Sequence, residues 1–360
     1  MTSRRTFLAG MLAAGALPTP TWAEAGDPAF LSAARAPDGA YRLCGLDARG
    51  QVLFQQPLPA RGHAAAAHPT RPEAVAFARR PGTFALVVDC RSGRIAARLD
   101  SPDGRHFYGH GAFSDDGALL FTPENDYEAG QGVIGVWDVA SGYTRVDEVP
   151  SGGVGPHDIL RLPDGSFVVA NGGIETHPDA GRAKLNLPVM RPNLTYMSAA
   201  GSIRSQMELP EEMHLNSIRH LALSDDGLVA FAMQWQGDEY EAPALLGLHR
   251  EGQEPLLAMA EGPMHDAMQG YAGSVAMDAA GTRAAISSPR GGLVQIFDTA
   301  TGELVEQVVE ADACGLSCGA GGFVITSGIG HVIGYDTGSG RSDWQAASEM
   351  QWDNHLVRIG

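Results

Sequence analysis

Hydrophobic and polar positions alternate along most of the chain in short runs that turn residues separate. One recurring unit has an alternating run, an Asp-Gly-type turn and a more continuous apolar run, as in GHGAFSDDGALLFTPEND (109–126), PHDILRLPDGSFVVANGG (156–173) and IRHLALSDDGLVAFAMQ (218–234). A second unit, such as VIGVWDVASGYTRV, alternates around a glycine-containing turn. A period of two between turn signals is typical of half-buried β-hairpins. The pattern therefore predicts an all-β protein with negligible helix.

The hairpin units repeat, and the repeat predicts the architecture. One equivalent position in the first strand of each unit falls at His63, His110, His157, His220, Ser274, Cys314 and His355. Internal periods of about 40 to 50 residues are typical of β-propellers, and most of these intervals are close to that range. Two hairpins make one four-stranded blade, so the seven positions predict a seven-bladed β-propeller.

The two ends of the chain are predicted to close the ring together. The last unit has a single strand, QWDNHLVRI (351–359), whereas residues 29–58 contain about three strands. Pairing the C-terminal strand with the N-terminal strands removes exposed sheet edges. We therefore expect one propeller domain over residues 24–360. The longest interval indicates an insertion at about 174–200, expected on the rim, where binding residues concentrate.

The N-terminus has the features of an export signal. Paired arginines in SRRTFL precede an apolar run that ends near Leu17, and Thr21-Trp22-Ala23 resembles a cleavage site. The run is shorter than the ~20 residues that span a membrane, and the twin arginines indicate the twin-arginine route. Residues 1–23 are therefore predicted to be a removable twin-arginine signal. The mature protein is expected in the periplasm, without membrane insertion.

The chain is acidic, with a formal net charge of -17. Such a surface argues against nucleic acid or an anionic membrane as a partner. An exported protein can form a disulfide, but Cys314 and Cys318 on one extended strand would lie ~13 Å apart, too far to bridge. The state of all four cysteines, which include Cys44 and Cys90, stays open.

Polar residues concentrate where the propeller has its channel mouth. First strands start there and second strands end there, and five of the seven strand starts are histidines. Neutral imidazole is the commonest transition-metal ligand, and carboxylates complete sites for iron, copper or zinc. The candidate ligands are therefore His110, Glu124, His157, His177, His220 and His355. Six exceed what one ion needs, so some are expected to orient the others.

Other interpretations of the same rim remain open. Polar side chains can line a propeller channel for structural reasons, by hydrogen-bonding water and neighbouring backbone. Arg182, Arg219 and Arg290 are candidates to hold an organic or anionic ligand. If a metal supports catalysis here, Glu175 and Asp158 are the candidates for the general base.

Several strings are similar to one bacterial family. GHGAFSDDG, NGGIETHPDAGRAKLNL, SIRHLAL and WDNHL resemble the domain of unknown function 1513 family, over roughly residues 60–360. The resemblance implies a propeller of the YVTN or quinoprotein-dehydrogenase-like type. It also implies a periplasmic role in iron acquisition, because genes of this family tend to lie beside imelysin-type iron-uptake proteins and a dihaem protein. It supplies no established activity.

Three functional hypotheses follow. The first is a periplasmic propeller that binds a transition metal, iron first and copper second, and passes it to an imelysin-type or haem-containing partner. The second is a metal-dependent oxidoreductase or lactonase-like enzyme, which needs an open coordination position. The third is a metal-free scaffold that docks an imelysin-type partner.

Overall fold

The computed structural model describes residues 20–80 and 82–359. The export signal predicted over residues 1–23 therefore lies almost entirely outside the described residues. Of its last residues, Trp22 begins a 3₁₀-helix (Trp22–Ala25). Trp22 is buried, and its indole N–H donates to the carbonyl of His68 (2.9 Å). This short segment therefore packs against the domain.

The described residues form seven antiparallel sheets, which are the blades of a β-propeller. Blade 1 contains β1 (Phe30–Arg35), β2 (Tyr41–Leu46) and β3 (Val52–Leu58). Blade 2 contains β4 (Gly62–Ala67), β5 (Glu73–Ala78), β6 (Phe84–Asp89) and β7 (Arg94–Asp100). Blade 3 contains β8 (Arg105–Phe107), β9 (Ala112–Phe113), β10 (Leu119–Asp126), β11 (Gln131–Asp138) and β12 (Thr144–Pro150). Blade 4 contains β13 (Pro156–Arg161), β14 (Phe167–Asn171), β15 (Asn193–Met197) and β16 (Ile203–Glu208).

The remaining blades repeat the same strand order. Blade 5 contains β17 (Asn216–Leu223), β18 (Val229–Trp235), β19 (Leu246–His249) and β20 (Leu256–Ala258). Blade 6 contains β21 (Ser274–Met277), β22 (Arg283–Ser288), β23 (Leu293–Asp298) and β24 (Leu304–Val309). Blade 7 contains β25 (Ala313–Gly319), β26 (Gly322–Ser327), β27 (His331–Asp336) and β28 (Arg341–Ala347). The predicted all-β, seven-bladed architecture is confirmed.

The ring closes in blade 1 by the predicted pairing of the two chain ends. The C-terminal segments β29 (Gln351–Trp352) and β30 (Val357–Arg358) both pair antiparallel with β1. The innermost strand of this blade therefore comes from the C-terminus and its other three strands from the N-terminus. This arrangement leaves the inner edge of β1 paired rather than exposed.

The apolar patterns of the strands match their positions in the blades. The second strands β10 and β14 are buried along nearly their whole length, because they face neighbouring blades on both sides. Outermost strands alternate instead, as β3 does, because one face meets solvent. The core consists of apolar layers between blades, for example where Val168 of blade 4 and Phe231 of blade 5 join one buried cluster.

Helical structure is limited to single turns among the described residues. The other 3₁₀-helices are Pro178–Ala180, Leu187–Val189, Glu211–Met213 and Glu239–Glu241, and one α-helical turn spans Pro263–Asp266. The rim insertion covers residues 172–192, between β14 and β15. It is shorter than the predicted 174–200 at its C-terminal end, because residues 193–197 pair with β14 as a regular blade strand.

Asn186 holds the base of this insertion. Its side-chain oxygen accepts the backbone N–H of Glu175 (2.7 Å), and its amide donates to the carbonyl of Gly173 (2.8 Å). Gly173 has φ +75°, and a Cβ there would lie 2.8 Å from the backbone nitrogen of Pro192. The insertion is therefore an ordered loop whose entry requires glycine.

No helix among the described residues is long and apolar enough to cross a membrane.

All four cysteines are described, and each has a free thiol. Burial raises the pKa of the Cys44 thiol to about 12, so this cysteine stays protonated and unreactive.

Candidate metal centre

Five histidines lie at irregular points of the innermost strands of blades 1 to 5. His63 lies in a β-bulge of β4, His157 lies in a bulge of β13, and His220 directly follows a bulge in β17. His110 falls in the gap between β8 and β9, and His355 in the gap between β29 and β30. Bulges re-aim side chains and are frequent beside functional sites. Here they occur where the innermost strands bring the five side chains together.

The five imidazoles form a single group in the central channel, called the histidine cluster below. The ring centroid of His63 lies 4.5 Å from that of His355 and 5.0 Å from that of His110, and the centroids of His157 and His220 are 4.8 Å apart. Two triplets have ring nitrogens that all lie within 4.8 Å of one another. These triplets are His63, His110 and His157, and His110, His220 and His355. Nitrogens that bind one tetrahedral ion at usual bond lengths are ~3.4 Å apart, so ring movements of about 1 Å would bring either triplet to ligand distance.

Each imidazole of the histidine cluster has one buried nitrogen without a hydrogen-bond partner among the described residues. These are Nδ1 of His63, His157 and His220, and Nε2 of His110 and His355. His249, which lies outside the channel, satisfies both nitrogens, with the Tyr196 hydroxyl at 2.7 Å and the Gln253 carbonyl at 2.8 Å. A buried polar atom without a partner costs about 1–3 kcal/mol. The cluster therefore has five ring nitrogens available to an additional group.

Burial keeps four imidazoles of the histidine cluster neutral, those of His63, His157, His220 and His355. It lowers the pKa of His220 to about 3, with a further contribution from the neighbouring His110. Burial first, and then neighbouring imidazoles and arginines, also lower the pKa of His63, His157 and His355 well below the usual value. A neutral imidazole has the free lone pair that a metal ion requires. These side chains are therefore able to act as ligands at neutral pH.

Asp158 is the carboxylate that contacts the cluster. Its Oδ1 lies 3.1 Å from Nδ1 of His110 and accepts the backbone N–H of Ile159, while its Oδ2 accepts that of Leu221. Burial raises the pKa of Asp158, but His110, His220 and the Leu221 amide lower it more, so the pKa is lowered overall. An ionised Asp158 keeps the proton of His110 on Nδ1 and leaves Nε2 free. This is the usual role of a carboxylate behind a metal-binding histidine, and the role of general base that the sequence suggested for Asp158 stays a prediction.

The structure does not bring Glu124 to the histidine cluster. Its side chain is fully buried, and it forms a two-point ion pair with Arg145 at 2.6 and 3.0 Å. It also accepts a hydrogen bond from the Thr122 hydroxyl (2.9 Å). Thr122 and Glu124 share one face of β10 because side chains two positions apart do so. That face packs on Arg145 and Trp137 of the outer strands, where Trp137 donates to Thr122 (2.9 Å).

His177 and Glu175 lie in the rim insertion and not in the cluster. Nδ1 of His177 accepts the backbone N–H of Asp179 and caps the Pro178–Ala180 turn. Its imidazole lines the mouth of a cavity that leads to the cluster. Glu175 is not among the described residues that line this cavity, and its role as a general base stays a prediction.

The arginines predicted to hold an anion lie around the same cavity. Arg182 and Arg219 line it directly. Arg290 stacks on Tyr271, with its guanidinium carbon 4.4 Å from the ring centroid, and Tyr271 lines the cavity wall. The three arginines therefore surround one opening.

Three residues that contribute to the histidine cluster or its cavity were not predicted as site residues from the sequence. His63 was recognised as a strand start equivalent to the other four histidines but was not included among the ligands. Arg79 and Arg80, at the end of the second strand of blade 2, also line the cavity. The signal that could have found them is blade equivalence, since this strand end faces the same rim as Asn171 in blade 4.

Together these observations define the class: a seven-bladed β-propeller with a cluster of five histidines in its channel. The chain belongs to the family described as "Protein of unknown function (DUF1513)", whose family model matches residues 56–359. The resemblance inferred from the sequence is thereby confirmed.

Among solved structures, the chain is similar to Kuenenia stuttgartiensis hydrazine synthase. The two are 14% identical, the match covers 93% of this chain and 98% of that chain, and the TM-score is 0.62. At this identity the likeness shows the fold alone. No curated protein matches the chain.

Proposed function

We propose that the protein binds a divalent transition-metal ion through the histidine cluster. The observation that carries the proposal is that five imidazoles, held within a few ångströms of one another, each have a buried ring nitrogen without a partner. Imidazole nitrogen suits iron, copper, zinc and nickel. Asp158 would orient His110 toward the ion from behind.

A purely structural role explains this arrangement less well. Structural histidines are hydrogen-bonded, as His249 is. Five unsatisfied nitrogens at about 1–3 kcal/mol each would together cost as much as the typical whole stability of a domain, ~5–15 kcal/mol. Something must therefore meet these nitrogens in solution. A bound ion does so for several of them at once, whereas water would have to be ordered separately at each.

The donor set bears on the choice of metal. With Glu124 engaged by Arg145, the nearest ligands are neutral nitrogens, which suit Fe(II) and Cu(II) better than the oxygen-seeking Fe(III). The expectation of iron is therefore proposed in its ferrous form. Copper is the second candidate, because Cu(II) binds nitrogen sites more tightly than Fe(II).

The biological setting in the proposal comes from the sequence. The twin-arginine signal motif supports export to the periplasm, and the family resemblance supports iron acquisition. In that setting the propeller would hold the ion and pass it to an imelysin-type or haem-containing protein. A buried site with a cavity on one side suits reversible loading better than a closed structural site does.

Catalysis at the same centre is the second candidate function, and the cavity favours it. A catalytic metal keeps a coordination position open to substrate, and three histidines of the cluster line the cavity. Asp158 is engaged by His110, so the acid or base would come from another cavity residue, such as the Tyr108 hydroxyl.

Metal analysis of the purified full-length protein tests the proposal. We expect about one iron or copper per chain, lost in the His157→Ala/His220→Ala double variant. The His214→Ala variant is the matched control, because His214 lies beside a surface 3₁₀ turn and bonds the carbonyl of Glu211; it should keep the metal. A wild-type protein that contains no metal and fails to bind added Fe(II) or Cu(II) would overturn the proposal in favour of the partner-docking scaffold.

A further inference from the structure

The cavity above the histidine cluster has a volume of about 350 Å³, and histidines and arginines make up more than half of the residues that line it. On its inner side are His63, His157 and His220 of the cluster. Around them are four guanidinium groups, those of Arg79, Arg80, Arg182 and Arg219. A ligand in this cavity would therefore touch the proposed metal site and the arginines at the same time.

The charge of this cavity contrasts with the rest of the protein. The chain has 42 acidic residues and a net charge of -17, yet no Asp or Glu is among the described residues that line the cavity. Many of the other arginines in the chain pair with carboxylates, as Arg145 and Arg250 do. Within residues 20–80 and 82–359, no ion pair shorter than 4.0 Å involves the four cavity arginines. The positive charge of the cavity therefore lacks a counterion within the described protein.

Several polar atoms of this cavity also lack hydrogen-bond partners. They are Nη1 of Arg79, Nε of Arg219 and the hydroxyl of Tyr108, and Tyr108 is only 2% exposed. Buried donors that are charged and unpaired are costly. An anion that accepts from them removes this cost.

We propose that this cavity binds a small anion whose carboxylate or phosphate oxygens lie on the arginines while another part of the molecule reaches the metal ion. Guanidinium is suited to both groups because its donors match their paired oxygens. This inference rests on the proposed metal function and names the class of ligand that accompanies the ion: an anionic metal chelate or a small anionic substrate.

Metal and anion should bind cooperatively. A divalent cation beside four guanidinium groups is repelled by them, and the repulsion is strong because the site is partly shielded from water. A bound anion offsets this repulsion, because it attracts both the metal ion and the guanidinium groups. By linkage, the metal must then raise the affinity for the anion by the same factor as the anion raises the affinity for the metal.

Calorimetric titration of the full chain tests this inference, with succinate and inorganic phosphate as separate probes. Co(II)-loaded and metal-free protein are compared, and the visible spectrum of Co(II) reports changes in its coordination. We expect at least one anion to bind the loaded protein more tightly than the metal-free protein. The probe that binds tells whether carboxylate or phosphate is preferred.

Two variants make the test specific. Arg219→Gln should weaken anion binding about tenfold, the effect of one charge-assisted hydrogen bond, while leaving Co(II) affinity in anion-free buffer undiminished. Arg341→Gln, on the exposed outer strand β28, removes the same charge and should change neither. Failure of both probes to bind loaded or metal-free protein, or equal anion affinity in the two variants, would overturn the inference. Failure of the wild type to bind Co(II) would refute the proposed function instead, and the metal-free titration would still test the anion site.

Discussion

Replacing Asp158 by asparagine should weaken metal binding without removing any proposed ligand. The carboxylate accepts from three donors: Nδ1 of His110 at 3.1 Å, and the backbone N–H groups of Ile159 and Leu221 at 2.8 and 3.0 Å. Asparagine keeps one oxygen and replaces the other by an NH₂ donor. If its oxygen stays on Leu221, the NH₂ faces His110 and makes Nδ1 an acceptor. The proton of His110 then moves to Nε2, the nitrogen that is free in the wild type.

The size of the effect follows from these contacts. When the asparagine oxygen stays on Leu221 and its NH₂ faces His110, Nε2 of His110 must lose its proton before it can bind metal. In the flipped orientation the NH₂ faces the Leu221 amide, which leaves a buried donor unpaired at a cost of about 1–3 kcal/mol. Loss of an orienting carboxylate typically reduces metal affinity ~10- to 100-fold, which corresponds to about 1.4–2.7 kcal/mol.

Competition with a chromophoric chelator near neutral pH measures this change for Fe(II) and Cu(II). The Asp343→Asn variant is the matched control, because Asp343 is exposed on β28 and its replacement also removes one negative charge. Circular dichroism and thermal unfolding of both variants establish that they are folded. A folded Asp158→Asn protein that binds metal as tightly as the wild type and is equally stable would refute the role given to Asp158, because the orientation in which the NH₂ faces His110 must lower the affinity and the flipped one must lower the stability.

Three other predictions follow from the structure. The pKa of His220 is about 3 in the folded protein against 6.5 ordinarily, so the unfolded chain takes up more protons between these values. Stability of the metal-free protein should therefore fall as the pH drops through this window, by up to ~1.4 kcal/mol per pH unit from His220; urea unfolding should show a smaller slope in His220→Phe. Glu124→Gln should cost about 3 kcal/mol by leaving Arg145 without its buried partner, while metal titration shows unchanged affinity. In protein that retains residues 1–23, Trp22→Ala should cost about 3 kcal/mol by emptying a packed site, measured by the same urea unfolding; an unchanged midpoint would mean that the 3₁₀ segment is not packed in solution.

The fold could be predicted from the sequence because each blade repeats the same local signals. The turn in PDGS (163–166) and the apolar run of β14 specify one hairpin independently of the rest of the chain, and five similar copies elsewhere in the chain follow the same order. Ring closure was predictable because the strands missing from the last unit are present at the N-terminus. The end of the rim insertion was harder to place, because β15 contains Asn193 and Thr195, polar residues that resemble a loop but are buried and bonded to Asn171.

The site could be predicted only in part, because it depends on both strand equivalence and side-chain direction. Equivalence places His110, His157, His220 and His355 at one level of the channel without knowledge of coordinates. Which other residues join the site depends on the direction of each side chain, and the charge of a residue does not show that direction. Glu124 and Asn125 are neighbours in β10, yet Glu124 faces the outer strands, whereas Asn125 reaches His106 of the cavity wall (3.2 Å).

The closure of the ring and the assembly of the site depend on the same contacts. His355 reaches the cluster from the short C-terminal segment between β29 and β30, and both strands are held by pairing with β1. The hydroxyl of Ser32 in β1 also donates to the backbone carbonyl of His355 (2.8 Å). A metal ion bound to His355 and to histidines of other blades would therefore join the two ends of the chain across the channel. At a free-metal concentration of about 1,000 times Kd, such a ligand stabilises the folded state by ~4 kcal/mol. In this fold that stabilisation falls on the one blade that two distant segments build, so loss of the metal would weaken ring closure first.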